Sequence, residues 1–225
     1  MTTDITPVDV RAELPVAADQ ARSTRMLLGG GAAAGPIFIA AALIQAATRT
    51  GFDPVEHTLS LLSVGDLGWI QIANFVLTGL LFLAAAVGMR RVLSPGPASR
   101  WGPRLIGVFG AALIAGGVFV ADPGLGFPPG TPDGVPDEMS WHGIAHSAAP
   151  VVGFLALSLA CFVFARRSFR LGERGWAWWS IFTGISIQVL GAMSNMSLNF
   201  IPLWAAMVLG FGWASAQAAR LMSRI

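Results

Sequence analysis

Ser140-Trp141-His142-Gly143-Ile144-Ala145-His146-Ser147-Ala148-Ala149-Pro150 opens a stretch that stays almost entirely apolar through residues 151–164. Two of the three histidines in the chain lie here, four residues apart. On a helix this spacing places both imidazoles on one face, one turn apart. The stretch therefore predicts a hydrophobic helix that carries a pair of candidate metal ligands or proton carriers at one end.

The composition of the whole chain is typical of a membrane protein. Of its 225 residues, 54% are hydrophobic and 12% are charged, which is roughly half the charged share of a soluble domain. We expect a disordered cytoplasmic tail over residues 1–25 and, over 26–225, an all-α bundle of six transmembrane helices. The six apolar segments lie at about 26–48, 68–90, 103–121, 141–165, 176–195 and 199–220.

The arginines predict the orientation of this bundle. All 14 basic residues are arginine, and all but Arg49 lie before the first segment, between the second and third, between the fourth and fifth, or at the end of the chain. Because cytoplasmic loops carry the excess of basic residues, the pattern predicts a protein of the cell membrane with both termini in the cytoplasm. Since topology accounts for these arginines, we expect no nucleic-acid partner.

Two connections on the opposite side of the bundle have distinct compositions. The first, 49–67, contains Asp53-Pro54, which is typical of a helix start, followed by Leu59, Leu61 and Leu62. It predicts a short interfacial helix before the second span. The second connection, 122–140, is rich in proline and glycine and contains acidic but no basic residues. We expect it to form an irregular cap over the outer face.

Polar side chains converge on the same outer side. His57, His142, His146, Asp66 and Asp122 all lie there under this topology. Polar side chains in a bilayer usually face a bundle interior or a wet cavity, because an unpaired polar group in hydrocarbon is costly. The pattern therefore predicts a polar cavity at the extracytoplasmic face. Further polar residues contribute to it from the outer halves of the spans: Gln45, Asn74, Gln188, Ser194 and Asn195.

The three histidines could form a catalytic metal site. His57, His142 and His146 are the three candidate zinc ligands, with Asp122 as a fourth ligand or as an outer partner. A zinc-bound water would be the nucleophile, with Asp122 or Asp66 as its base, and Ser60 would share a helical face with His57. The alternatives are a structural cluster, in which the histidines hydrogen-bond to loop groups, and proton or ligand handling.

The stretch from His57 to Gly65, followed by Trp69, Asn74-Phe75 and residues 78–81, resembles a large family of six-span prokaryotic membrane proteins. That family is catalogued as a domain of unknown function, number nine-nine-eight. The resemblance extends over about residues 30–220 and implies a fold and a membrane location, but no established activity.

A remoter likeness is to the membrane hydrolases that include alkaline ceramidases and adiponectin-receptor-like proteins. Those enzymes combine a serine, an aspartate and three histidines around zinc, and the resemblance would give these parts to Ser60, Asp122 and the three histidines. They have seven core spans, however, and their paired histidines lie on the last span, so the likeness is one of chemistry only.

Two classes of function follow from these patterns. The first is a metal-dependent lipid or amide hydrolase that acts on a lipid-like substrate at the outer leaflet. The second is a non-enzymatic membrane component: a lipid or small-molecule binder, a transporter-like element or a partner subunit. Membrane lipids surround the protein in either case.

Overall fold

The computed structural model describes residues 10–93, 95–136 and 138–225, and these residues form six α-helices and no named strand. The prediction of an all-α fold is therefore confirmed for the described part of the chain. A 3₁₀ helix at Leu59–Ser63 precedes the second α-helix. The α-helices are α1 (Val10–Thr48), α2 (Gly68–Val92), α3 (Pro97–Val118), α4 (Trp141–Arg170), α5 (Arg174–Ser197) and α6 (Ile201–Met222).

Two local predictions differ from the structure. The loose tail predicted over 1–25 is helical from Val10 onward, because extending an existing helix costs far less than nucleating one; residues 1–9 lie outside the described part. The helix start predicted at Asp53-Pro54 is a single turn, in which the His57 N–H donates to the Asp53 carbonyl over 2.7 Å. The short helix begins later, at Leu59, and Leu61 and Leu62 are buried within the protein.

The six helices form a closed ring in which each helix packs against its sequence neighbours and α6 returns to α1. Short connections join α2 to α3, α4 to α5 and α5 to α6, so these neighbours are antiparallel. Phenylalanines pack against one another inside the ring. Phe38 stacks on Phe211 with ring centroids 4.3 Å apart, and Phe109 meets Phe211 edge-on at 5.1 Å.

Four of the helices are long and apolar enough to cross a membrane by length and composition: Ala18–Thr48 within α1, α2, Ala98–Val118 within α3, and α4. The helices α5 and α6 have comparable lengths, but tryptophan, serine and glycine residues interrupt their apolar runs. The structure thus has the apolar helices of a membrane protein, and the count of six spans stays a prediction.

Small residues allow α1 and α6 to cross closely. A Cβ on Gly35 would lie 2.6 Å from the Phe211 carbonyl oxygen on α6. Ala112 and Gly116 on α3 line a cavity inside the ring instead, and a Cβ on Gly116 would meet nothing within 4 Å.

Candidate functional site

The two connections at the α1–α2 and α3–α4 ends pack together into a cap. Arg49 organises it: its guanidinium donates to the Leu62 and Val64 carbonyls, both over 2.6 Å, and lies 5.0 Å from the centroid of the Phe127 ring. Burial lowers the pKa of Arg49 below its ordinary value, and the nearby Asp66 carboxylate offsets part of this shift. The single basic residue predicted on this side therefore has a structural role in the cap.

His57 is a buried part of the same cap. Its Nδ1 accepts from the Asp53 N–H over 2.8 Å, and its Nε2 donates to the Leu125 carbonyl over 2.7 Å. Its ring also packs between Phe52 and Phe127. Because both ring nitrogens already have partners, His57 has no lone pair left for a metal ion in this arrangement.

His142 and His146 project from α4 toward the end of α3. The Nδ1–H of His146 donates to the Phe119 carbonyl over 2.6 Å and to the Gly116 carbonyl over 3.0 Å. The Nδ1 of His142 lies 2.9 Å from the Val120 carbonyl. Carbonyls at a helix C-terminus have no partner within the helix, so His146 satisfies groups that the end of α3 leaves open, whereas His142 contacts the connection that follows. In each ring this leaves Nε2 as the nitrogen that carries the lone pair in the neutral form.

Asp122 fixes the start of α4. Its carboxylate accepts the Ser140 N–H over 2.8 Å and the Ser140 hydroxyl over 2.6 Å, and the Ser140 Oγ accepts the Gly143 N–H over 3.0 Å as the helix N-cap. The hydroxyl bond of Ser140 is the main reason that the pKa of Asp122 is lowered. Position 143 must be glycine here, because a Cβ would overlap the Asp122 carboxylate.

The structure places the His142 Nδ1 3.8 Å from the Asp122 Oδ1 but does not bring three of the predicted zinc ligands together. Over the described ranges, no group of three or more His, Cys, Asp or Glu residues is placed so that it could hold a metal ion. Asp66 is exposed beside Arg49, whereas Ser60, Asp122 and His146 all line one cavity. The zinc site is thus unsupported, and the catalytic roles of Ser60, Asp66 and Asp122 stay predictions.

The cavity lies inside the helix ring beneath the cap and has a volume of about 660 Å³. This is within the usual range for small-molecule sites, roughly 300–1,000 Å³. One end is polar, with Thr58, Ser60, Asp122, His146 and Asn195 in its wall. The rest is apolar, and its inner part is lined by Phe38, Phe75, Phe109, Leu113, Trp204, Met207 and Phe211.

The cavity is open to the exterior, and most of its exposed lining residues lie on α4 and α5, with Val135 and Met139 of the cap exposed beside them. We infer from these residues that the cavity opens along α4 and α5, and we call this opening the slit. It runs along α4 from Ser147 to Leu155, about 12 Å at 1.5 Å per residue. The Gln188 side chain closes its inner end by donating to the Ser158 hydroxyl over 2.8 Å and to the Phe154 carbonyl over 3.2 Å. The exposed lining residues of the two helices are Ser147, Pro150, Val151, Leu155, Gln188, Ala192 and Asn195.

A cluster of buried amides between α1 and α2 extends the predicted polar set. Gln45 donates to the Gln71 Oε1 over 2.8 Å, and Asn74 donates to the Phe38 carbonyl over 3.1 Å. Gln45 and Asn74 belong to the polar set that the sequence predicts, whereas Gln71 was missed. The spacing of Gln71, Asn74 and Thr78 on one face of α2 was the available signal. None of the four is among the residues that line the cavity.

The apolar helices and the buried polar groups between them define an integral membrane protein of the all-α class. Within that class, the chain belongs to the family described as protein of unknown function (DUF998), whose model matches residues 32–220. The prediction of this family is confirmed. No curated protein and no solved structure matches the chain.

Proposed function

We propose that this protein binds a single-chain amphiphile in the capped cavity. The observation that supports the proposal is the combination of one polar end, an aromatic and aliphatic interior, and exposed lining residues along α4 and α5. An acyl chain would occupy the apolar part, and a polar head group would lie near Asp122, His146 and Ser60. The volume of about 660 Å³ is appropriate for one such molecule.

We further propose that α5 and α6 also cross the membrane, which gives six spans with both termini in the cytoplasm. The supporting observation is the closed ring, in which α6 packs against α1 and α5 against both α4 and α6. The arginine-rich connections then lie in the cytoplasm of the cell, and the cap lies on the outer face. In this orientation the slit opens into the outer leaflet, from which the amphiphile would enter.

Hydrolysis of the bound molecule is the second candidate function, because Ser60, Asp122 and His146 line the cavity. Release of free fatty acid from a lysophospholipid incubated with the purified protein would distinguish an enzyme from a binding protein.

Replacing Gly191 by phenylalanine tests the binding proposal. Gly191 lines the cavity on α5, and a Cβ added there would meet nothing within 4 Å, so the new ring would occupy the cavity without displacing its walls. Titration of the detergent-purified protein with the fluorescent fatty acid cis-parinaric acid should show saturable binding to the wild type. We expect about a tenfold to hundredfold weaker binding to Gly191→Phe, since overpacking costs ~1–3 kcal/mol.

The matched control is Gly212→Phe on α6. A Cβ at Gly212 also meets nothing within 4 Å, but Gly212 does not line the cavity, so its affinity should equal that of the wild type. Gly116→Leu, which fills the cavity from α3, is the second cavity-filling variant and replaces Gly191→Phe if that variant does not fold. Saturable binding that is unchanged in both cavity-filling variants, or binding to the wild type that never saturates, would refute the proposal.

A further inference from the structure

A second pocket lies at the opposite end of the bundle from the cap. It has a volume of about 190 Å³ and is formed where the end of α4 meets the segment that enters α3. Three arginines of α4, Arg166, Arg167 and Arg170, contribute to its wall. The other lining residues are apolar or small: Pro95, Gly96, Ala98, Val163 and Leu171. We refer to it as the arginine pocket.

The guanidinium groups of this pocket have no direct anionic partner among the described residues, although the Glu173 carboxylate attracts Arg167 from a distance. Among the described residues, none of the guanidinium groups of Arg166, Arg167 and Arg170 takes part in a side-chain hydrogen bond or an ion pair. The nearby carboxylate of Glu173 is already paired with Arg220 and Arg224. Three like charges around one concavity repel each other unless an anion lies between them.

The start of α3 adds to the positive potential. Gly96 is the N-cap of this 22-residue helix and supplies no side-chain cap. The helix dipole places partial positive charge at this end. Pro97 has no N–H, and the Ser99 N–H donates to the Gly96 carbonyl over 3.1 Å, so the dipole is the main contribution of the helix end here. Gly96 and Ala98 both line the arginine pocket, so this helix end supports the arginines in attracting an anion.

Topology alone does not explain this arrangement. The preference for basic residues on the cytoplasmic side accounts for the side on which the arginines lie, but it does not require three of them to share one pocket. Arg22 and Arg25 near the start of α1 are exposed, as Arg166 and Arg170 are, but neither lines the capped cavity or the arginine pocket.

We propose that the arginine pocket binds a phosphate group, carried either by an anionic lipid head group or by a soluble phosphate. Arginine matches phosphate geometry with paired N–H donors, and basic pockets between helices on the cytoplasmic side of a membrane are suited to phospholipid head groups. Val163 and Leu171 would contact the apolar part of a lipid next to its phosphate. The site is separate from the capped cavity and does not depend on what binds there.

The test compares two double variants of the full-length protein, each lacking two positive charges from one helix: Arg166→Gln/Arg170→Gln in the pocket, and Arg22→Gln/Arg25→Gln outside it. Each protein is titrated in detergent with dioctanoyl phosphatidylglycerol, and binding is followed by native mass spectrometry. We expect the pocket variant to bind about tenfold or more weakly than the wild type, and the control variant to stay within about twofold.

A competition experiment separates the two sources of phosphate. Inorganic phosphate that displaces phosphatidylglycerol at similar concentration identifies a soluble phosphate as the ligand, whereas failure to displace it at large excess identifies the lipid. Either result keeps the proposal if the pocket variant binds weakly. Equal binding of phosphatidylglycerol by the wild type and both variants overturns it, as does a wild type that binds neither phosphatidylglycerol nor inorganic phosphate.

Discussion

Leucine in place of Gly79 should lower the free energy of unfolding by about 3 kcal/mol, at the upper end of the usual cost of overpacking. At this position α2 crosses α3 with their backbones in close approach. A Cβ on Gly79 would lie 2.5 Å from the Gly110 carbonyl oxygen, and a Cβ on Gly110 would lie 2.7 Å from the Gly79 carbonyl oxygen. Because the obstacle is backbone on both sides, no rotamer change relieves it and the helices must separate.

Thermal unfolding in detergent, followed by near-ultraviolet circular dichroism, measures this effect. The control is Gly212→Leu on α6, which introduces the same side chain into a helix at a position where a Cβ meets nothing within 4 Å. The control should unfold within a few degrees of the wild type, because both leucines bring the same helix propensity. Equal midpoints for the Gly79 and Gly212 variants would contradict the close crossing of α2 and α3.

The second large effect is expected at Asp122. Asparagine at this position should lower the free energy of unfolding by about 2 kcal/mol at neutral pH, because a hydrogen bond to a charged acceptor contributes ~1.5–3 kcal/mol. The substitution should also destabilise the N-terminus of α4, since the Ser140 hydroxyl that donates to Asp122 is the N-cap acceptor for the Gly143 N–H. Chemical unfolding in detergent at neutral pH would measure the difference from the wild type.

Because Asp122 is a titratable group, we expect the stability of the protein to depend on pH. The pKa of Asp122 is lowered in the folded protein, chiefly by the Ser140 hydroxyl, from an ordinary value of 3.8. Its stabilising contribution is therefore fully present above the unfolded pKa and is lost as the pH falls through the lower, folded pKa. Acid unfolding of the wild type below about pH 4 should include this loss, and Asp122→Asn should lack it.

Asp133→Asn is the control for both measurements at Asp122. It removes one carboxylate from the same connection, and Asp133 forms no hydrogen bond within the described residues that would be lost with it. The control should retain the wild-type stability at neutral pH and the acid-dependent loss. If the two asparagine variants behave alike, the Asp122–Ser140 contact does not hold the start of α4.

The helices could be predicted from the sequence because apolar segments of the right length stand between charged or glycine-rich connections. All six predicted segments overlap a helix, and the start of α4 at Trp141 agrees to the residue. The ends of α1 and α4 were placed less well. Helix α1 begins at Val10, before its apolar run, and α4 ends at Arg170, after its apolar run. The added residues are largely polar, so hydropathy does not show where these helices begin or end.

The partners of the histidines could not be predicted from the sequence. Their spacing correctly placed His142 and His146 on one face of a helix, but the same face suits a metal site and a set of backbone acceptors. The choice depends on where the end of α3 lies, and the carbonyls of Gly116 and Phe119 leave no signature in the sequence. For His57, the decisive partner is the Leu125 carbonyl, 68 residues away in the chain.

The polar cavity at the extracytoplasmic face stays a prediction, since only Asp122, His146, Gln188 and Asn195 of the polar residues that it gathers line the observed volume. Aspartate and histidine are rare in membrane spans, so their convergence is visible in the sequence. Phe38, Phe75, Phe109 and Phe211 look like ordinary core residues in a chain that is 54% hydrophobic. Only the packing of four different helices shows that these rings border an open volume. For the same reason, the slit between α4 and α5 could not be predicted.

The most direct test of the binding proposal is native mass spectrometry of the protein purified in mild detergent, without added ligand. The wild type and Gly212→Phe should each retain one co-purifying amphiphile, seen as a discrete mass addition that is released on activation. Gly191→Phe should lack that addition while it remains folded. The same bound mass on all three proteins, or on none of them, would contradict the proposal that the capped cavity binds an amphiphile.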